Sequence, residues 1–319
     1  MLSILFLGDK MNRMRFKAKK KRRFSIKFFL LFIIFSLSLY FSFDYLCKQN
    51  INIDNKELVY YLLEDASLKR SGSGFLKKQF SSFTEPYNLL NMKVAKLYNK
   101  EKKAVKEIEV KPLVYLYNSH QTEEYAKTTL AEYAVNPTVT INNYIMLDVF
   151  QKNNINTITE ERSIREVLNL NSWNYAASYK ASRIYMEDVK KEYPSLKYFI
   201  DLHRDSLKKN KTTIQIGDKS YAKIIFLIGL ENANYQKNLA FTEEINNKIG
   251  EKYPGLSKGI YKKGGAGVNG VYNQDFSPYT ILIEIGGCEN TTSEVLNTVL
   301  AISEVISEVI INNEQKELG

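Results

Sequence analysis

From Lys111 onward, short apolar runs alternate with longer segments of helical period. "PLVYLYNSH" (112–120), "INTITE" (155–160), "LKYFIDLH" (196–203) and "YTILIEIGG" (279–287) are rich in aromatic and β-branched residues. Such residues suit a pleated, buried surface, so each run predicts a strand. "TTIQIGDKSYAKIIFLIGL" (212–230) predicts a hairpin around Gly217–Asp218 that runs into a very apolar strand. "INNYIMLDVFQKNN" (141–154) is loosely helical, with apolar residues at Ile141, Ile145, Leu147, Val149 and Phe150. Residues 163–194 predict a long amphipathic helix or helix pair, stopped at Pro194, because proline cannot donate the next helical hydrogen bond. Residues 234–255 predict another helix, stopped at Pro254. Thr291 and Glu294 stand three apart, the spacing of a capping box, ahead of a terminal helix. Strands alternating with helices predict an α/β fold: a twisted, largely parallel sheet flanked by helices.

Upstream the pattern differs. "FFLLFIIFSLSLYFSF" (28–43) carries no charge, and Phe24 to Leu46 is long enough to cross a bilayer if Lys27 snorkels. No small-x-small cleavage site follows it, which argues against a removed signal peptide. Residues 48–109 are polar, with "KRSGSG" (69–74) as a flexible turn or linker. The expected organisation is a basic cytoplasmic segment at 1–27 and one amino-terminal transmembrane signal-anchor helix at 28–46. An extracytoplasmic stalk at 47–110 and a catalytic domain at 111–315 follow.

Composition changes this picture little. The chain has 319 residues and is 44% hydrophobic, enough for one sizeable core plus an extra segment. Its formal net charge of +10 suggests nucleic acid until it is located. Residues 1–27 hold ten Lys and Arg and one acid, so all but about one unit of that charge precedes the apolar run. The remainder is nearly neutral, which excludes a basic nucleic-acid-binding face. The same bias places the amino terminus in the cytoplasm and residues 48–319 outside the cell membrane. Two cysteines, Cys47 and Cys288, do not make a disulfide framework.

The candidate chemistry sits at strand ends, where α/β sheets collect reacting groups. The chain has only two histidines. His120 ends the first strand and His203 a middle one. Glu284 lies near the end of the last, facing opposite to Ile283 and Ile285. Glu123 follows His120 at i+3. Two imidazoles and a carboxylate suit Zn²⁺ and leave its fourth position open for water. A further carboxylate is then needed to move protons, and Glu284 on a buried strand is placed for it. Each residue has a plainer role available. The histidines are also ordinary loop-start residues, and Glu284 is also an ion-pair partner for a lysine or arginine. Glu124 and Glu132 compete with Glu123 as third ligand. Arg204, Asp205 and Asn273 are candidates for binding substrate or supporting the ligands, with a surface salt bridge as the competing role for the first two. Cys288 with His203 is a further nucleophile arrangement, disfavoured by the helix-cap setting. "GGAGVNGVYNQD" (264–275) lacks phosphate-loop spacing and predicts a mobile loop beside the site.

With these residues in view, the chain resembles the stage II sporulation protein P family. The resemblance rests on "YNSHQTEEY" (117–125), "FIDLHRDS" (199–206), "IIFLIGLENANYQKNLAF" (224–241), "YPGLSKGIY" (253–261) and "YNQDFSPYTILIEIGGCENTTSE" (272–294). It implies a membrane-anchored peptidoglycan hydrolase of sporulation engulfment, acting with the stage II sporulation proteins D and M. The implied activity is a zinc-dependent N-acetylmuramoyl-L-alanine amidase that also opens peptide cross-links. His120 and His203 would be its metal ligands and Glu284 its catalytic carboxylate. Related amidases open the helix after the first strand with an acidic ligand, whereas "NPTVTINNYIM" (136–146) has no acid, which leaves Glu123 as the substitute. Two other classes fit the same residues: a metallocarboxypeptidase-like enzyme on wall peptides, and a non-catalytic wall-binding scaffold.

Overall fold

A computed structural model describes residues 26–50, 54–71, 111–130, 133–233 and 235–318. Its two compact units are Met1–Ile51 and Asn52–Gly319. In the first, α1 (Ile26–Asn50) exposes large apolar side chains between Phe29 and Phe41. Among the described residues no helix is long and apolar enough to cross a membrane, so the expected span at 28–46 has no support from the fold.

The second unit begins with α2 (Asn55–Ser71). Then come β1 (Val114–Tyr117), the hairpin β2 (Thr128–Leu130) and β3 (Tyr133–Val135), α3 (Thr140–Lys152), β4 (Thr157–Thr159) and α4 (Ile164–Leu170). A 3₁₀ turn (Tyr175–Ala177) leads into α5 (Ser178–Glu192), β5 (Tyr198–Asp205), the hairpin β6 (Thr213–Ile216) and β7 (Lys219–Ala222), and β8 (Ile224–Gly229). The chain ends with α6 (Tyr235–Lys252), β9 (Ser257–Lys263), β10 (Tyr279–Gly287) and α7 (Thr292–Leu318). Six strands form one sheet in the order β4-β1-β5-β10-β8-β9. Every neighbouring pair is parallel except β10 with β8. The predicted largely parallel α/β sheet and the 212–230 hairpin are both present.

Alternation along the strands builds two layers. One face carries Val114, Leu116, Ile200, Leu202, Ile281, Ile283, Ile285, Ile224 and Phe226, all buried in one cluster with apolar residues of α3, α6 and α7. Each fully buried side chain of this size stabilises the fold by about 1.5–3 kcal/mol. On the other face Tyr115, Tyr117 and Phe199 pack under Met186 and Val189 of α5. The capping box forms: Glu294 N–H donates to Thr291 Oγ1 at 3.3 Å, and Thr291 N–H donates to Glu294 Oε2 at 2.9 Å. Residues 163–194 resolve into the pair α4 and α5, broken by the 3₁₀ turn.

Three elements depart from the sequence pattern. The β2–β3 hairpin and the edge strand β9 were not expected. The third is α2, inside the expected stalk 47–110: its Leu58 and Val59 are buried in the main core. The rest of that segment from residue 72 lies outside the described residues.

Candidate metal centre

Strand register gathers the candidate residues. β1, β5 and β10 lie side by side and parallel, so their carboxyl ends share one edge of the sheet. His203 stands in register with Glu284, and the two share a face of the sheet. His120 and Glu123 occupy the turn after β1, closed by the Glu123 N–H donating to the His120 carbonyl at 3.2 Å. Just past Glu284, Gly286 adopts φ +63°, and a Cβ there would lie 2.9 Å from the Ala222 Cβ. Glycine is what lets β10 turn away at the site.

His120, Glu123 and His203 each offer a ligand atom, and these atoms lie within 4.8 Å of one another. Glu123 bridges the pair: Oε1 is 3.5 Å from His120 Nδ1, and Oε2 is 3.5 Å from His203 Nδ1. The imidazole rings meet edge-on with centroids 4.9 Å apart. The Arg204 backbone N–H donates to Glu123 Oε2 at 3.1 Å and fixes the carboxylate. Burial pushes the Glu123 carboxyl up, but hydrogen bonds from His120 and His203 and the positive charge of His203 outweigh it, and the group lies below the ordinary carboxylate range.

Behind His203 stands a group the sequence reading missed. Asp201 is fully buried, and its Oδ1 accepts from His203 Nε2 at 2.9 Å. The same oxygen accepts from the Ser119 N–H at 2.9 Å, and Ser119 Oγ donates to Oδ2 at 2.8 Å. Ser119 Oγ also lies 2.9 Å from His203 Nε2. With Nε2–H held by Asp201, Nδ1 is the nitrogen that faces Glu123 and is available to a metal. Burial pulls the His203 imidazolium down, but the Asp201 and Glu123 carboxylates win and raise it well above its ordinary value. The visible signal was Asp-x-His, since residues two apart on a strand share a face.

The Glu284 carboxyl is pushed up to about 7, first by burial. The His203 charge opposes that rise, while Glu123 and Asp205 add to it. Tyr175 stacks on His120 with centroids 4.8 Å apart, and Tyr179 stacks on His203 at 6.2 Å. Neither tyrosine was singled out by the sequence.

The three supporting candidates separate. The Arg204 guanidinium donates to the Glu124 carbonyl at 2.8 Å and braces the turn that carries Glu123. Asp205 Oδ1 accepts from the Leu207 N–H at 3.1 Å, and Oδ2 lies 3.6 Å from Lys258 Nζ. The Asn273 side chain donates to the Tyr179 carbonyl at 2.9 Å and to Ser182 Oγ at 3.0 Å. It holds α5 in place and supports the wall over His203. Cys288 is an exposed free thiol past the end of β10.

A family model described as stage II sporulation protein P matches residues 45–307. The chain belongs to the stage II sporulation protein P family. The match begins upstream of α2, in keeping with the burial of Leu58. Stage II sporulation protein P of Bacillus subtilis (strain 168) is 34% identical over 207 residues, which cover 62% of this chain and 51% of that protein. The chain thus spans about half the length of that curated relative. Among solved structures, N-acetylmuramoyl-L-alanine amidase AmiC2 of Nostoc punctiforme aligns with a TM-score of 0.37 and 10% identity, over 64% of this chain and 97% of that one. Cwp6 from Clostridium difficile aligns with a TM-score of 0.37 and 12% identity, over 62% of this chain and 29% of that one.

Proposed function

We propose that this chain is a peptidoglycan hydrolase of sporulation that cleaves the amide between N-acetylmuramic acid and L-alanine, with peptide cross-links as further substrates. The observation that carries it is the convergence of His120, Glu123 and His203 beside Glu284 at one sheet edge. Two imidazole nitrogens and a carboxylate oxygen, with Asp201 orienting one imidazole, fit Zn²⁺ and a remaining open position. When bound, zinc supplies Lewis-acid polarisation of the scissile carbonyl.

The chain's own residues do the rest. Glu284 takes a proton from the attacking water as its oxygen bonds to the carbonyl carbon. It returns that proton to the amide nitrogen as the C–N bond breaks, leaving a carboxylate on the lactyl group and a free amine on L-alanine. A carboxyl near 7 suits both directions of transfer. Asp201 keeps the His203 ring turned with Nδ1 toward Glu123. Tyr175 and Tyr179 wall the site and limit water on the α5 side.

The basic run at 1–27 and the apolar run after it support attachment to the cell membrane, with the amino terminus cytoplasmic and the catalytic unit outside. On this reading the stage II sporulation proteins D and M are partners in engulfment. Alkaline carbonate extraction of membranes tests the attachment, and release of the chain into the soluble fraction would sink it.

The activity is tested with the purified full chain on isolated cell walls, with and without zinc, reading product masses. The expected result is zinc-dependent release of peptides that begin at L-alanine. Release of single amino acids alone would replace the amidase with a carboxypeptidase, and wall binding without any release would leave a scaffold.

A further inference from the structure

We propose that the open sheet face of β9 formed by Gly259, Tyr261 and Lys263, beyond the buried Ile225 that pairs with Glu284, receives the acidic peptide arm of the substrate. This rests on the hydrolase reading and names which part of the substrate lies where.

Register puts these residues on one face. Glu284 pairs with Ile225, Leu282 with Leu227, Leu227 with Tyr261, and Gly229 with Lys263. Paired residues share a face, and so do residues two apart. The opposite face of the same strands holds Ile224, Phe226 and Ile260 against the main core. On the Glu284 face, cover runs out toward β9. α5 roofs β1 and β5, and Tyr272 packs on Leu227 and Leu282. Beyond that, Tyr261 is 48% exposed and Lys263 is exposed.

Gly259 interrupts β9 at φ +100°, and a Cβ built there meets nothing within 4 Å. Glycine inside a strand costs stability and marks a bulge or a close approach by another chain. Here the register slips between Ile224 and Phe226, so a bulge is present, and the space above it is open. The glycine-rich loop bounds one end of this floor. A Cβ on Gly229 would lie 2.4 Å from the Gly270 carbonyl oxygen, so the loop crosses directly above β8 there. Gly265 N–H donates to Glu231 Oε1 at 2.6 Å, which pins the loop. Lys258 and Asp205, 3.6 Å apart, bound the other end.

Charge selects the occupant. No ion pair engages Lys263 among the described residues, and its charge is felt at Glu284, whose proton affinity it lowers. A neutral glycan gains little from an ammonium group, whereas peptide carboxylates gain directly. From Glu284 to Lys263 the floor runs roughly 16 Å, four residues along and two strands across, the reach of about five extended residues. The scissile amide joins a sugar to a peptide, so the two arms leave Glu284 in different directions. The glycan is then left to the His120 side, where the half-exposed Tyr175 ring stacks.

The test uses the full chain carrying Glu284→Gln, so that probes are bound and not cleaved. The probes are a soluble disaccharide–tetrapeptide with free carboxylates, the same molecule with amidated carboxylates, and the disaccharide alone with its lactyl carboxyl amidated. Adding Lys263→Glu should weaken the free-carboxylate probe about fivefold to tenfold and change the amidated probe less than about twofold. Tyr261→Ala should weaken both peptide-bearing probes and leave the disaccharide unchanged. Lys262→Glu makes the same charge reversal one residue away on the opposite face and should change nothing. Equal losses for Lys263→Glu and Lys262→Glu would overturn the proposal, as would an equal loss for the disaccharide alone. Failure of the Glu284→Gln chain to bind the free-carboxylate probe would also overturn it. Charge-selective binding with no wall cleavage by the unmodified chain would instead refute the hydrolase reading and leave the peptide floor standing.

Discussion

Replacing Asp201 by Asn tests the proposed metal centre at the residue that holds His203 from behind. Asn keeps the shape and one acceptor oxygen. That oxygen can still take the His203 Nε2–H and the Ser119 N–H, both now 2.9 Å away. The new NH₂ faces Ser119 Oγ, which must turn from donor to acceptor. The fold should therefore survive, and the loss is the negative charge behind the imidazole. Removing such a partner from a metal-bound histidine costs about 10- to 100-fold in affinity, or about 1.4–2.8 kcal/mol. That agrees with the roughly 1.5–3 kcal/mol of a hydrogen bond to a charged group. The pH dependence gives a second check. Without metal, the His203 imidazolium faces Asp201, Glu123 and Glu284, and it is held above its ordinary value. Its contribution to stability is full below about 6.5 and is lost as pH rises through the raised folded value. Metal must displace the Nδ1 proton, so zinc affinity rises with pH. In Asp201→Asn the proton is held less tightly, so the affinity gap from wild type should be widest at high pH and narrow toward about pH 6. Chelator competition on the full chain from about pH 6 to about pH 9, with circular dichroism as a folding check, measures both effects. A folded variant with zinc affinity within about twofold of wild type at every pH would refute the role given to Asp201.

Other substitutions separate catalysis from architecture. Glu284→Gln should lower turnover by about 10²- to 10⁴-fold while zinc content, measured by elemental analysis, stays at the wild-type level. In the wild-type chain, activity should fall as pH drops through about 7 as Glu284 protonates; bound zinc should move that midpoint lower, and a pH-independent rate would exclude Glu284 as the base. Leu58→Ala should cost about 2–5 kcal/mol in denaturant unfolding, because Leu58 sits in the main core; a cost under about 0.5 kcal/mol would mean that α2 does not belong to the catalytic unit. Thr291→Ala should lower stability by about 1 kcal/mol through loss of the α7 cap, and an unchanged melting temperature would contradict the capping geometry.

What could be read ahead of the structure followed from how each signal is encoded. His120, His203 and Glu284 stood out because each follows or interrupts an apolar run, and the parallel order of β1, β5 and β10 then brings those run-ends together. Asp201 was passed over for a related reason. It lies inside the predicted strand 196–203 and was given no role there, whereas β5 runs on to Asp205 and remains buried through His203. A charged residue inside a buried strand is costly unless paired, and here its partner is two residues along on the same face. β9 was hidden by the opposite effect. "SKGIYKK" carries three lysines and a glycine because it lies at the sheet edge, where hydrophobic alternation relaxes and lysine discourages pairing with another chain. In α2, Leu58 and Val59 are buried within a segment whose overall composition is polar, so an average over 48–109 conceals them. Glu123 shows the limit from the other side. Its i+3 spacing from His120 is local and legible, but the group that fixes its carboxylate is the Arg204 N–H, 81 residues away. A backbone donor has no residue-specific signature, so position 204 could have held any residue but proline and made that bond. Spacing therefore pointed to His120, Glu123 and His203 as candidates, whereas the contacts that bring them together and orient them arise from strand register and appear only once β1 and β5 are paired.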